Sequence, residues 1–313
     1  MILSELLYKL VLFCDIVRVG KNSYCEFDKF EFESEIYMRN ILKCNGELVI
    51  INGHKIHIYR HGNVNVPKII FMSGSGTVAP VYDFKVLYEK LFRNFRVIVI
   101  EKYGYGYSDI CESPCDIDTL VSIQRQALKI VGETGPYILA PHSMSGLEAI
   151  RWKQKYPNEI TAIIGIDMAT PLTYNNWTDD EIKKRTRLMR VATRLKFANI
   201  LCQLNNRSLT KDEINQHKLL RKRNAFNICY INEAGEVLKN SRVVSEDENI
   251  KCPTLLFSSN GNQTSEHWLE NQREFASLMN AKLVCFDCGH YIHHFKSDEM
   301  CKEIIEFINS LER

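Results

Sequence analysis

Residues 137–146 read Tyr137-Ile-Leu-Ala-Pro-His-Ser143-Met-Ser-Gly146. Tyr137 to Ala140 is apolar and predicts a strand, whereas Gly146 to Tyr156 has helical spacing. A strand therefore runs almost directly into a helix, with a serine and other small residues at the junction. One reading makes that serine a helix N-cap. Another makes it a nucleophile: a sharp turn lifts its hydroxyl clear of the backbone and aims the helix N-terminus at the same spot, where developing negative charge is stabilised. This segment alone leaves both readings open.

Outward from it, strands and helices alternate. Glu47 to Ile51 and Lys55 to Tyr59 flank Asn52-Gly53, a two-residue hairpin signal. Short apolar strands are expected at Lys68 to Met72, Arg96 to Ile100, Thr161 to Ile166, Pro253 to Phe257 and Ala281 to Phe286. Helical spacing covers Val81 to Phe92, Asp116 to Val131, Glu266 to Met279 and Asp298 to Leu311. This rhythm predicts an α/β fold with a mainly parallel sheet flanked by helices. It stops at Pro171, and from there to about Asn249 the chain is charged and helical in pattern. The expected organisation is an N-terminal helix and linker over 1–44, a core over 45–170 and 250–313, and a helical insertion over 171–249.

The chain has 313 residues and a formal net charge of +2, so charge points to no nucleic-acid partner. Its 11 cysteines are odd in number and scattered, which suggests a reducing, cytoplasmic setting. Cys285-Phe-Asp-Cys288 has redox or metal spacing, but it closes an apolar strand without a second pair and reads as two strand-end thiols. In the apolar stretch Ile2 to Val19, Glu5, Lys9 and Asp15 interrupt what would otherwise resemble a membrane span. Its helical spacing suggests packing on the body or on a partner chain; contact with a membrane surface is the lesser alternative. The insertion is locally basic from Lys183 to Arg194 and again at Arg221 to Arg223, a pattern that fits a solvated helix face better than recruitment of anions.

Three further segments favour the nucleophile. Lys68-Ile-Ile-Phe-Met-Ser-Gly-Ser-Gly76 ends a strand in a glycine loop, Glu101-Lys-Tyr-Gly-Tyr-Gly-Tyr-Ser-Asp109 follows the next strand, and Cys288-Gly-His290 follows the last. All three fall at C-terminal strand ends, the edge at which open α/β sheets bind ligands. Gly104-Tyr-Gly106 lacks the third glycine of a dinucleotide fingerprint, and the 73–76 loop lacks the Lys-Ser or Lys-Thr of a nucleotide P-loop.

From Glu47 to Leu311 the chain thereby resembles the α/β-hydrolase superfamily, in its serine-nucleophile branch with a helical cap. The elbow G-x-S-x-G is represented by Pro141-His-Ser143-Met-Ser145 followed by Gly146, so proline and serine replace both glycines. The oxyanion loop is represented by Ser73-Gly74-Ser75-Gly76, and G-x-G-x-S-D is intact at Gly104 to Asp109. The resemblance implies Ser143 as nucleophile, His290 as general base, and the backbone amides of Ser75 and Met144 as the oxyanion hole. His142, beside the nucleophile, is implied to be structural, and His293 and His294 read as surface or helix-start residues. The acid usually lies after the strand Pro253 to Phe257, but that loop reads Ser258-Ser-Asn-Gly-Asn-Gln-Thr264, without a carboxylate. Asparagine there does not replace an acid; the Asp-to-Asn change in a serine protease costs about ten-thousand-fold. Asp167, after Thr161 to Ile166, is the alternative that some relatives with a cap use, and its competing reading is a turn cap before Pro171.

The implied activity is cleavage of a small or medium ester without a cofactor, on a small-molecule substrate. Trp177, Phe197, Phe226 and Tyr230 are candidates to line an acyl pocket. Two other classes stay open: a non-hydrolytic enzyme of the same fold, such as a lyase or cofactor-free peroxidase, and a binding protein that has lost the reaction. A haloalkane dehalogenase or epoxide hydrolase would carry a carboxylate at the elbow, where this chain has Ser143.

Overall fold

The computed structural model describes residues 42–194, 208–248 and 250–311. The apolar segment Ile2 to Val19 and Phe197 lie outside the described residues. Eight strands form one sheet: β1 (Glu47–Ile51), β2 (His54–His61), β3 (Lys68–Met72), β4 (Arg96–Glu101), β5 (Tyr137–Ser143), β6 (Ile160–Met168), β7 (Thr254–Ser258) and β8 (Lys282–Cys285). Their order is β1-β2-β4-β3-β5-β6-β7-β8. β1 and β2 form the antiparallel edge, turning at Asn52 and Gly53, both at positive φ, and the remaining strands run parallel. β5 is central and buried along nearly its whole length, which explains its unbroken apolar run.

Alternate residues of the strands feed two cores. Ile69, Phe71, Val97, Val99, Ile138 and Ala140 face one side, covered by α1 (Pro80–Asp83), α2 (Lys85–Tyr88) and a last helix. Ile70, Met72, Ile98, Ile100 and Leu139 face the other, under α3 (Ile117–Ile130) and α4 (Ser145–Lys155). The single helix expected over Val81 to Phe92 is two short ones, broken at Phe84, whose ring is fully buried against Phe71. Between β6 and β7 lie α5 (Asp179–Arg194), α6 (Lys211–Asn224), α7 (Ile228–Gly235) and α8 (Val237–Glu246), so among the described residues the insertion is helical. α9 (Trp268–Met279) and α10 (Ile292–Leu311) complete the chain; α10 begins six residues before the expected Asp298 and kinks at Lys296. No described helix is long and apolar enough to cross a membrane.

Candidate active site

Ser143 ends β5 with φ +54, a left-handed conformation that costs a residue with a side chain roughly 1–2 kcal/mol. The glycine replacements at the elbow have a physical account. Pro141 sits within the sheet opposite Met72, and Ser145 is buried with its hydroxyl 2.8 Å from both the Met72 and His142 carbonyl oxygens. A hydroxyl thus ties the turn together where the family pattern has glycine. The close approach that demands glycine falls one residue later: a Cβ on Gly146 would lie 2.0 Å from the Ala169 carbonyl oxygen. Gly74 faces Ser143, and a Cβ there would lie 2.6 Å from the Ser143 Cβ.

Asp167 also has positive φ, at +47, and is fully buried. Its Oδ2 accepts a 2.6 Å hydrogen bond from His290 Nδ1. Oδ1 accepts from the Ser259 backbone amide at 2.8 Å and from Trp268 Nε1 at 2.7 Å. Three donors therefore fix this carboxylate, and it does not cap the turn before Pro171. With the Nδ1 proton held by Asp167, the free lone pair of a neutral His290 is on Nε2. The loop after β7 supplies support rather than the acid: Gln263 Oε1 accepts from the His290 amide at 3.2 Å, and the Asn260 amide donates to the Cys288 carbonyl at 3.2 Å. No hydrogen bond joins Ser143 Oγ to His290 among the described residues. Contacts of this kind are often long without substrate and tighten in the complex.

Ser75 and Met144 lie on the two segments that meet at Gly74 and Ser143, and neither backbone amide has a hydrogen-bond acceptor among the described residues. Met144 directly precedes α4, so its amide is one of the free donors at a helix start.

A second layer of histidines surrounds the site. His142 is buried; its Nε2 lies 3.3 Å from the His290 carbonyl oxygen and its Nδ1 has no partner. Burial, with His290 and His293 close by, drives its pKa well below the usual value, so the ring is neutral and donates from Nε2. His142 thus holds the backbone that carries His290. His293 and His294 do begin α10, but both are buried, in contrast to the surface position open to them from sequence. The reason is Asp83 on α1, whose two carboxylate oxygens lie 2.8 Å from His293 Nε2 and 2.9 Å from His294 Nε2. Burial opposes the Asp83 charge, but the two histidines hold its pKa well below the carboxylate range. Burial also lowers His293, whereas Asp83 outweighs burial at His294 and raises it. The consistent assignment is an Asp83 carboxylate, a protonated His294 and a neutral His293 donating from Nε2. Among the described residues these three form a group whose histidine and carboxylate ligand atoms all lie within 4.8 Å of one another. Both oxygens are already engaged, so they form a closed clamp between the glycine-loop side and the His290 side.

The G-x-G-x-S-D turn serves as a support. Glu101 is fully buried and accepts from the Val81 amide at 2.9 Å and the Tyr107 amide at 2.7 Å, with His57 Nδ1 at 2.7 Å. Gly106 is obligatory because a Cβ would fall on that carboxylate, 1.7 Å from Oε2. Burial alone would lower the His57 pKa, but Glu101 pushes it up to about 10.

A cavity of about 330 Å³ opens beside these groups. Ser75, Asp83 and His290 line it from the core, and His217, Phe226 and Tyr230 from the insertion. Ser143 is not among its lining residues. Trp177 does not line it either: it is partly buried against Tyr174, with the Arg185 guanidinium 4.0 Å from its ring. Cys285 and Cys288 are free thiols, as expected of strand-end residues. Asp83, Trp268, Glu101 and His217 were not singled out from the sequence. Their partners lie 210, 101 and 44 residues away in the first three cases, beyond the reach of any local spacing.

The sheet order and the strand–turn–helix junction at Ser143 give the chain the α/β-hydrolase fold. YbdG, an uncharacterised protein of Bacillus subtilis (strain 168), is 30% identical over 286 residues, covering 87% of this chain and 88% of that protein. No family model matches the sequence. Among solved structures, Cfl2 from Burkholderia cenocepacia aligns over 83% of this chain and 94% of its own, with a TM-score of 0.66 at 16% identity. The enol-lactonase from Burkholderia xenovorans LB400 covers 84% and 100%, with TM-score 0.60 and 18% identity. A carboxylesterase structure from Nitrososphaera gargenis covers 85% and 99%, with TM-score 0.59 and 15% identity. At these identities the likeness concerns the fold.

Proposed function

We propose that this chain is a serine hydrolase that cleaves small or medium carboxylic esters through an acyl-enzyme. The observation that carries the reading is the buried Asp167 carboxylate, 2.6 Å from His290 Nδ1, at the sheet edge where Ser143 ends β5 at positive φ. Fold alone does not choose the chemistry, since a haloalkane dehalogenase shares it. The side chains support a serine nucleophile: the elbow presents a hydroxyl, and a hydroxyl needs a base.

In this mechanism His290 Nε2 takes the Ser143 proton as Oγ attacks the ester carbonyl. The amides of Ser75 and Met144 receive the negative charge that develops on the carbonyl oxygen, each donor contributing roughly 3 kcal/mol. Asp167 keeps the imidazole in its tautomer and balances its charge as it becomes protonated. His290 then gives that proton to the departing alkoxide. Water, deprotonated by His290, attacks the acyl carbon, and His290 returns that proton to Ser143 Oγ as the carboxylic acid departs. No cofactor enters this sequence.

A cavity of about 330 Å³ is at the small end of ligand sites, which supports short acyl chains. The free thiols among the described cysteines support a reducing, cytoplasmic setting. The test is a series of 4-nitrophenyl esters from acetate to dodecanoate, with Ser143→Ala as control. Turnover should be greatest for the short esters and vanish in the variant. Rates that climb steadily with chain length and jump at an oil–water interface would contradict the short-chain reading, and equal rates in Ser143→Ala would contradict the nucleophile.

A further inference from the structure

His217 lies on α6, within the insertion, and lines the same cavity as His290 and Ser75. It is 4% exposed, and its Nδ1 is buried without a hydrogen-bond partner. Thr77, in the glycine loop, is in the same state: it is 4% exposed, lines the cavity, and its Oγ1 has no partner. An unsatisfied buried polar atom destabilises the fold unless a partner reaches it. Both belong to side chains, one from the core and one from the insertion, that line a single cavity next to the proposed chemistry. Such a pair is in place to receive a ligand that brings its own hydrogen-bonding group.

Charge narrows the class of that group. Asp83 borders the cavity, but both its oxygens are taken by His293 and His294, so it has none to offer a cation. Burial lowers the His217 pKa to about 4, with Asp83 opposing and Arg221 and His294 reinforcing the shift, so the ring is neutral near pH 7. A neutral imidazole and a hydroxyl beside a carboxylate suit an uncharged oxygen function. The cavity follows the loop from Ser75 to Ala79, which carries the Ser75 amide, and reaches His290.

We infer that His217 and Thr77 form an acyl-chain subsite that selects esters carrying an uncharged hydroxyl or carbonyl oxygen over plain alkyl esters. This inference rests on the ester-hydrolase reading for its site and deepens its substrate class.

The test compares 4-nitrophenyl 3-hydroxybutanoate with 4-nitrophenyl butanoate, which differ by one hydroxyl. Wild type should favour the hydroxy ester by about tenfold or more in kcat/KM, as sites built to bond a substrate hydroxyl do. His217→Leu should bring the ratio close to one, and His217→Gln should restore part of the preference. A wild-type ratio near one, or an equal loss on both esters in His217→Leu, would overturn the subsite. A binding readout separates this from failure of the ester reading. In Ser143→Ala protein labelled with ¹⁵N-histidine, ethyl 3-hydroxybutanoate should move the His217 ring resonances and ethyl butanoate should not. No difference between the two ligands overturns the subsite even with an active enzyme. A selective shift alongside a wild type that turns over no ester retains the subsite and removes the ester reading.

Discussion

At the scale of single residues, the account depends most on Asp167. A buried carboxylate with three donors, one of them the His290 ring, is held in one orientation, and removal of its charge should be felt in catalysis more than in folding. Asp167→Asn should lower kcat by about two to four orders of magnitude, because the amide disfavours the Nδ1–H tautomer and does not balance the imidazolium. The measurement is steady-state kinetics alongside thermal unfolding; a well-folded variant with kcat within tenfold of wild type would remove Asp167 from the mechanism. Ser143 and His290 stand out in the sequence because each sits in a short motif at a strand end. Asp167 was legible by elimination, since the loop at Ser258 to Thr264 has no carboxylate. Its partners Ser259 and Trp268 were not, because bonds across 92 and 101 residues leave no periodic mark.

At the scale of elements, the strand–turn–helix unit from β5 to α4 shows why the motif departs from glycine at two positions. Ser145 contributes a hydroxyl tie, whereas Gly146 has no room, with the Ala169 backbone oxygen 2.0 Å from a would-be Cβ. Ser145→Gly should cost about 1 kcal/mol, the net worth of a hydrogen bond. Gly146→Ala should cost about 3 kcal/mol or more by forcing α4 away from the end of β6. Denaturant midpoints of the two variants check the order, and a Gly146→Ala protein as stable as Ser145→Gly would refute the packing argument. The clamp from α1 to α10 makes a second prediction at this scale. Asp83→Ala leaves two buried imidazoles, His293 and His294, without their shared acceptor and should cost about 1–3 kcal/mol for each; an unchanged melting temperature would show that the clamp contributes nothing. Strand positions were read to within a few residues because strands buried on both faces form continuous apolar runs. Helix ends were read less well: the break at Phe84 and the early start of α10 are set by tertiary contacts, a buried ring in one case and the Asp83 clamp in the other.

At the scale of the whole molecule, buried histidines make stability depend on pH in both directions. His142, His217 and His293 have folded pKa values below 6.5, that of His217 being about 4, so as pH falls from 6.5 the unfolded chain takes up more protons and stability drops. His57 is raised to about 10; its contribution is complete below 6.5 and is lost as pH rises toward 10. The raised His294 contributes with the same sign as His57. Urea midpoints at pH 4.5, 7 and 9.5 should be greatest at pH 7, and His217→Leu should shallow the acid limb. Midpoints that stay flat from pH 4.5 to 7 would contradict the neutral buried histidines. The α/β class and the helical nature of the insertion were legible from alternation and periodicity. How the insertion meets the core was not: the cavity brings together Ser75, His217 and His290, which are far apart in the chain, and only the folded chain defines it.

The central claim is that Ser143 is an activated nucleophile, and a fluorophosphonate probe tests it most directly. The account predicts one adduct per chain, mapped to Ser143, with labelling slowed by two or more orders of magnitude in Asp167→Asn and His290→Ala, the scale on which loss of an acid or base acts. A folded protein that takes up no probe, or takes it up at a residue other than Ser143, would contradict the account.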